Sequence, residues 1–595
     1  MKAACSQSSR LFGGLVVVTV LCLALTAKIT AQGVDPGPRP PGTTPFPPSV
    51  CGIVAGIGND KFNDASFGNP ACFDIDQPPS NPGQPPAAGA GQVIDGAVGN
   101  LGTMWFQALT VFSATAVVSS TITPPPTITG LGPSFNALSC FGCHAEPAVG
   151  GASPGIVTVN GKTVASTVPP GVKYTSVLQN PEYQASIADG ASNTLPCFIV
   201  PPSTSGGGCA GISLGDFLAP LNFSNGPVEE VRFVKAVTTT TTPNVDPVSQ
   251  GAVADLFTVQ TRGDNPTGCL IGQEPITGQI LANNAIFRTP TPTFGLGFVE
   301  NTPELELVNN SFLNQAVKTS LGISSGVFNR SGNDQTITRF GWKAQNKSLL
   351  MFAGEASNVE MGVTNELFPN ERTTGNGSNC TPNEQPEDEI LGTTPQTDAS
   401  QISSALENNA VFMRLNGNPS QCDWTSTTNS SGAPVCLPLG NNALKGQCLF
   451  GTSAATTSGF CLSNFPDLPP YGIGCVLCHS DSLTTANSAQ PGLANQPFAP
   501  YSDFALHLMG HDGDGITQGN AGPTQFRTAP LWGAGQRFFF MHDGRFFDLN
   551  DVVVKGHCPP PDTTTTPNES CGVVTNYLGL SPANETLILE FLRSL

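Results

Sequence analysis

The sequence predicts a mainly α fold with extensive irregular loops and some short β-structure, arranged as two related domains with large insertions. Three observations predict it. Gly (66) and Pro (54) make up a fifth of the 595 residues and only 11% are charged, a composition of long ordered loops around modest helical cores. A Cys-x-x-Cys-His motif occurs at Cys140–His144 and again at Cys475–His479. Each motif is followed by a version of one segment, Phe287-Arg288-Thr289-Pro290 in the first half and Phe526-Arg527-Thr528-Ala529-Pro530 in the second. After these, Trp342 corresponds roughly to His542, and Glu360 to His557. The halves therefore read as copies of one unit, the first heavily inserted.

The motif is the covalent attachment signature of c-type haem. Two thiols at this spacing match the porphyrin vinyl groups, and the adjoining imidazole reaches the iron as proximal ligand. A zinc site would want a second Cys or His pair at short spacing, which neither motif has nearby. The expectation is two covalently bound haem c groups, held by Cys140, Cys143 and His144 and by Cys475, Cys478 and His479. The two units are then cytochrome c-like haem domains.

Taken in order, Lys2 and Arg10 precede an apolar run, Leu11 to Ala27, with small residues at Thr30-Ala31. Residues 1–31 read as a secretory signal peptide, so the expected location is periplasmic or otherwise exported. No later stretch is apolar enough to span a membrane once that leader is cleaved. Residues 32–50 form a Pro-rich linker. Residues 51–364 are the N-terminal haem domain, with a helix expected near Thr103 to Thr115. Its turn-rich insert carries hairpin strands such as Gly155–Val159. Residues 365–470 are a Cys-rich connector, and residues 471–595 the C-terminal haem domain. The last helix is capped by Ser581 with Pro582 at its first position. Its stripe of Ile588, Phe591, Leu592 and Leu595 should close over a haem edge.

Of 18 cysteines, two leave with the leader and four hold haem, so an even number remains for disulfides in an oxidising compartment. Close spacing suggests Cys51–Cys72, Cys197–Cys209 and Cys558–Cys571. Pairing among Cys269, Cys380, Cys422, Cys436, Cys448 and Cys461 stays open. The net charge of −19 argues against nucleic acid and anionic membranes as partners. It suits a small, basic redox protein.

The six histidines are His144, His479, His507, His511, His542 and His557. The N-terminal half has none to spare beyond its proximal ligand. Its iron is then five-coordinate, or bound by Met104, Met351 or Met361, or reached from the other domain. An open iron is what peroxide chemistry requires. Around the C-terminal haem, His557, His507, Met509 and Met541 all compete as sixth ligand. Arg527 and Arg545 are expected to pair with haem propionates, since a guanidinium suits a carboxylate; a structural salt bridge is the alternative for each.

Several blocks resemble a known family. They are Phe135-Asn136 before the first motif and Gly150-Gly151 after it, then Arg339-Phe340-Gly341-Trp342-Lys343-Ala344-Gln345 and Met361-Gly362-Val363-Thr364. The second half adds Tyr501 to Gly510, Phe526 to Gly535 and His542-Asp543-Gly544-Arg545. Together they look like the bacterial di-haem c-type oxidoreductases of peroxidase type, related to di-haem cytochrome c peroxidases and to methylamine-utilisation di-haem enzymes. The chain departs from the family at Leu508, where an acidic residue is usual, and in its longer Cys-rich inserts.

The resemblance implies peroxide reduction at the N-terminal haem, with electrons relayed through the C-terminal haem from a small donor protein of cytochrome c or cupredoxin type. It aligns Glu360 with the family's distal glutamate, His557 with the sixth ligand of the relay haem, and Trp342 with a tryptophan between the haems. Glu355 and Gln345 are secondary candidates beside Glu360. The resemblance also implies a calcium ion between the domains, for which His511-Asp512-Gly513-Asp514-Gly515 offers oxygen ligands; an ordinary acidic turn is the alternative. Two other functions stay open: a di-haem oxidase of an organic or protein substrate, and a non-enzymatic two-haem electron carrier.

Overall fold

The computed structural model describes residues 32–35, most of 108–165, 226–227, 229–234, 260–261, 284–369, 405–421, 439–451, 459–558 and 568–595, with short breaks. The leader, Met104, Cys51–Cys72 and Cys197–Cys209 lie outside the described residues. Within them the protein is partly helical, with a few short strands in two- and three-stranded sheets. No described helix is long and apolar enough to cross a membrane. The expected helix near residue 110 is seen at 108–109 and 111–113, and Gly155–Val159 pairs antiparallel with Lys162–Ala165 as a hairpin.

In the first half, β1 (Glu230–Phe233) pairs antiparallel with β2 (Ala285–Arg288), with Glu230 opposite Arg288. Helix α1 (Leu349–Met361) starts where the Ser348 side chain accepts from the Met351 N–H. It stops at Gly362, whose φ of 64° is a left-handed C-terminal position that glycine adopts without steric cost. Helix α2 (Ala405–Leu415) packs along α1, and Phe412 and Met413 join Phe112, Phe340 and Leu349 in one apolar core. In the second half, α3 (Asn441–Phe450) is followed by a short ribbon of β3 (Leu506–Leu508) and β4 (Gln525–Arg527). Helices α4 (Cys571–Leu578) and α5 (Pro582–Leu592) complete it.

Helix α5 is capped as its sequence requires: Ser581 accepts from the Asn584 N–H and Pro582 takes the first turn. Ile588, Phe591, Leu592 and Leu595 are all buried. The helix crosses α3 at Gly446, where a Cβ would strike the Leu587 carbonyl and come within 2.8 Å of the Phe591 Cβ. Gly446→Ala is therefore expected to force α3 and α5 apart and to destabilise the protein by about 1–3 kcal/mol, read as a lower midpoint in chemical denaturation. Cys448–Cys461 ties α3 to the segment after it, and Cys558–Cys571 fastens the start of α4. The first of these pairings was not readable from spacing; the second was.

The start of the Pro-rich segment does not behave as a linker. The Asp35 carboxylate binds the buried Arg593 guanidinium at 2.7 Å, and Asp35 also accepts from the Leu549 N–H.

The repeated segment occupies equivalent places in both halves. Phe287-Arg288 ends β2 and Phe526-Arg527 ends β4, each the second strand of an antiparallel ribbon. The two halves exchange backbone bonds reciprocally at these segments. The Thr289 N–H donates to the His542 carbonyl (2.7 Å), and the Arg527 N–H donates to the Trp342 carbonyl (3.0 Å). A buried charge cluster reinforces this seam. Asp514 accepts from Nε of Arg288 (3.0 Å) with one oxygen and lies 2.9 Å from the Lys343 ammonium with the other.

Candidate haem sites

Each Cys-x-x-Cys-His motif forms a single 3-10 turn, Cys140–Gly142 and Cys475–Leu477. In the first, Ser139 caps the turn by accepting from the Gly142 N–H at 3.1 Å. The histidine N–H returns to the carbonyl of the first cysteine in both copies, at 3.0 Å for His144 and 2.9 Å for His479. This folds the two thiols and the imidazole toward one side. All four motif cysteines are unpaired, unlike the disulfide-bonded cysteines elsewhere among the described residues.

Both proximal rings are oriented in the same way. Nδ1 of His144 lies 3.2 Å from the Gly151 carbonyl, and Nδ1 of His479 lies 2.8 Å from the Tyr501 carbonyl. A carbonyl partner fixes the proton on Nδ1 and leaves Nε2 as the donor atom toward a metal. Burial lowers both rings to about 4, so they are neutral, as a ligand must be.

Each motif lines a cavity. The N-terminal one, about 1150 Å³, is bounded by Phe112, Cys140, Cys143, His144, Trp342 and Glu360, among others. The C-terminal one, about 1500 Å³, is bounded by Cys475, Cys478, His479, Arg527, Arg537 and His557, among others, with Ile588 and Leu592 of α5 as one wall. The terminal helix thus closes the second site as its stripe suggested.

The C-terminal cavity has an imidazole on its far side. His557 follows a π-helical turn, Val552–Gly556, a rare element often found at functional sites. Its Nδ1 lies 2.8 Å from the Val552 carbonyl, and its ring centroid stands 6.4 Å from that of His479. Two imidazoles bound across one metal, with bonds of about 2 Å, hold their centroids roughly 6 Å apart. His507 is spoken for: Nδ1 meets Glu569 at 2.8 Å and Nε2 meets Asp503 at 3.0 Å. Cys478 and Asp503 outweigh burial and raise the imidazole above its ordinary value, and with both nitrogens engaged by carboxylates His507 has none left for a metal.

The N-terminal cavity has no such ring among its described lining residues other than His144 itself. Met361 belongs to an apolar cluster with Val111, Leu131 and Val363 and also lines the cavity, as does Met413, whereas Met351 does not. Carboxyl groups face it instead: Glu229, Glu230, Glu355 and Glu360. Burial, and then the charge of Glu230, push Glu360 up to about 8.

A family model described as "di-haem oxidoreductase, putative peroxidase" matches residues 112–381 and 471–594, two thirds of the chain. The chain belongs to that family. Searches of curated proteins and of solved structures return no match.

The oxidoreductase has two sites that fit its family's two haems. Besides the motif residues, Arg527 and Arg537 are buried in the C-terminal cavity and donate only to carbonyls: Gly341 at 3.0 Å and Thr528 at 3.4 Å for Arg527, and Trp532 at 3.4 Å for Arg537. Among the described residues neither has a carboxylate partner, and burial alone lowers each to about 10. Two uncompensated buried cations call for anions, and haem carries two propionates. Arg537 carries no sequence signal; only its burial exposes it.

Arg545, expected at a propionate, goes elsewhere. Its Nε donates to Asp543 (2.7 Å) and its Nη1 to Asp512 (2.8 Å), so its charge is already balanced. The acidic turn does not fit calcium either. Asp512 is engaged by Arg545, and Asp514 by Arg288 and Lys343. Among the described residues no group of three His, Cys, Asp or Glu is placed to hold a metal ion.

Trp342 of the oxidoreductase lines both cavities. Its Nε1–H donates to the Thr289 carbonyl (2.7 Å), and its ring meets His542 edge-on at 6.4 Å. His542 stacks on Phe526 at 4.4 Å, so it belongs to the seam between the halves.

Proposed function

We propose that the protein is an exported di-haem c-type peroxidase that reduces hydrogen peroxide at its N-terminal site. The carrying observation is the asymmetry of the cavities: an imidazole faces His479 at 6.4 Å, whereas ionisable carboxyls face His144. Cys140, Cys143 and His144 would hold one haem, and Cys475, Cys478 and His479 the other, with His557 as a further iron ligand and Arg527 and Arg537 neutralising its propionates. When bound, the two haems supply the electron relay, from a small cytochrome c or cupredoxin donor to the iron where peroxide reacts.

The remaining chemistry falls to side chains. Reduction of hydrogen peroxide to two waters takes two electrons and two protons. Glu360 holds a proton at neutral pH, so it acts first as an acid toward the departing oxygen. Trp342, shared by both cavity walls, is suited to carry an electron between them. The proposed domain plan is a cleaved leader over 1–31, haem domains over 51–364 and 471–595, and a connector over 365–470.

The absorption spectrum of the purified holoprotein tests this reading. High-spin ferric haem in one site and a fast reaction with peroxide are expected. Two low-spin haems in every redox state would overturn it in favour of an electron carrier. His557→Gly is expected to convert the second haem from low-spin to high-spin while leaving its attachment intact; an unchanged spectrum would remove His557 as ligand.

A further inference from the structure

The N-terminal cavity holds more carboxyl groups than a single acid requires. Glu355 is bonded by the Asn346 amide, and Glu229 faces Asp543 and Arg545 of the other half. Glu230 and Glu360 meet each other. Glu230 opens β1, Glu360 lies in the last turn of α1, and their side chains are hydrogen-bonded. Arg232, two residues along β1 and so on the same face, grips Glu230 through both Nε and Nη2 (3.2 Å).

Two carboxyls in contact cannot both ionise, so one proton bridges them. Arg232 decides where it rests. Its two bonds, with Arg288 opposite on β2, keep the negative charge on Glu230 and leave the proton on Glu360. The other groups facing the pair do not reverse this. The Asn136 amide favours the Glu360 anion but counts for less than burial and Glu230, Glu355 faces Arg232, and Cys140, Cys143 and His144 close the cavity.

We infer that Glu230 is a positioning residue: with Arg232 it forms a proton-sharing pair that keeps Glu360 in the acid form, facing the N-terminal cavity. This rests on Glu360 being the acid of the proposed peroxidase. Neither Glu230 nor Arg232 lies in a motif or repeat, and the chain between Arg232 and Glu360 hides their proximity.

Infrared spectroscopy of the full-length holoprotein tests the pair without reading turnover. The protonated carboxyl band that Glu360→Gln removes should titrate near pH 8 in the native protein. Glu230→Gln removes the neighbouring charge and frees Arg232 to face Glu360. The band should then titrate at least one pH unit lower, a tenfold change in proton affinity. Glu230→Ala carries the same expectation if the amide variant does not fold. An unmoved titration in a folded variant overturns the pairing. Peroxide turnover that survives Glu360→Gln would instead overturn the acid assignment, so the two failures are distinct.

Discussion

Glu360→Gln is expected to lower peroxide turnover by about 10²–10⁴-fold with haem content unchanged, the range spanned by a positioned acid or base. Gln keeps the shape of the side chain and its place at the end of α1, but it cannot release a proton. The pH dependence has a defined sign. Burial first, and then Glu230, raise Glu360 from 4.5 to about 8. Its acid form therefore persists through neutral pH, and turnover should fall as pH rises past about 8. That limb should be absent in Glu360→Gln. The same shift works against stability. Between 4.5 and about 8 the folded protein keeps a proton that the unfolded chain has released, so this group stabilises the fold less as pH rises through that window. A steady-state profile of both proteins checks the assignment, and equal turnover would discard it.

Asp514→Asn is expected to cost about 3–5 kcal/mol of stability, because it strands two buried cations. Arg288 and Asp514 have almost no exposed side-chain surface, and neither has Lys343. Burial pushes Asp514 up, but Arg288 and Lys343 outweigh it and hold the carboxyl below its ordinary range. A depressed carboxyl stabilises above its unfolded value and loses that contribution as pH falls through the folded one. The Asp514 contribution therefore holds at neutral pH and is lost in acid, while Lys343, which burial lowers to about 8, gives up its proton on the alkaline side. Lys343→Met leaves Asp514 its bonds to Arg288 and should cost less. Denaturant midpoints of the two variants rank them, and the reverse order would disprove the clamp.

The candidate haem-binding motifs were legible because their chemistry is local. A thiol pair and an imidazole must follow one another at fixed spacing, so Cys140–His144 and Cys475–His479 declare themselves. The cap at Ser581 and the stripe from Ile588 to Leu595 are legible for the same reason, each spanning a turn or two of one helix. The repeat was also readable, and it took its meaning from the reciprocal bonds of Thr289 and Arg527.

Electrostatic partners were not legible. Arg545 looked like a propionate anchor, but Asp512 and Asp543 balance it. Arg537 looked like nothing, yet it is buried without an acid. His507 was a candidate ligand until Asp503 and Glu569 took both its nitrogens. A charge is defined by neighbours within a few ångströms, and those neighbours come from distant segments.

By itself, the sequence determined the two motif sites, the doubling of the unit, the terminal helix and the Cys558–Cys571 bridge. The histidine count and the family resemblance already set the two sites apart, but only the tertiary structure decided which groups stand around each cavity and at what distance. Both present a neutral proximal imidazole, but one is faced by His557 and the other by Glu360 and Glu230. That difference depends on where β1, α1 and the π-helical turn come to rest against each cavity. No spacing along the chain records it.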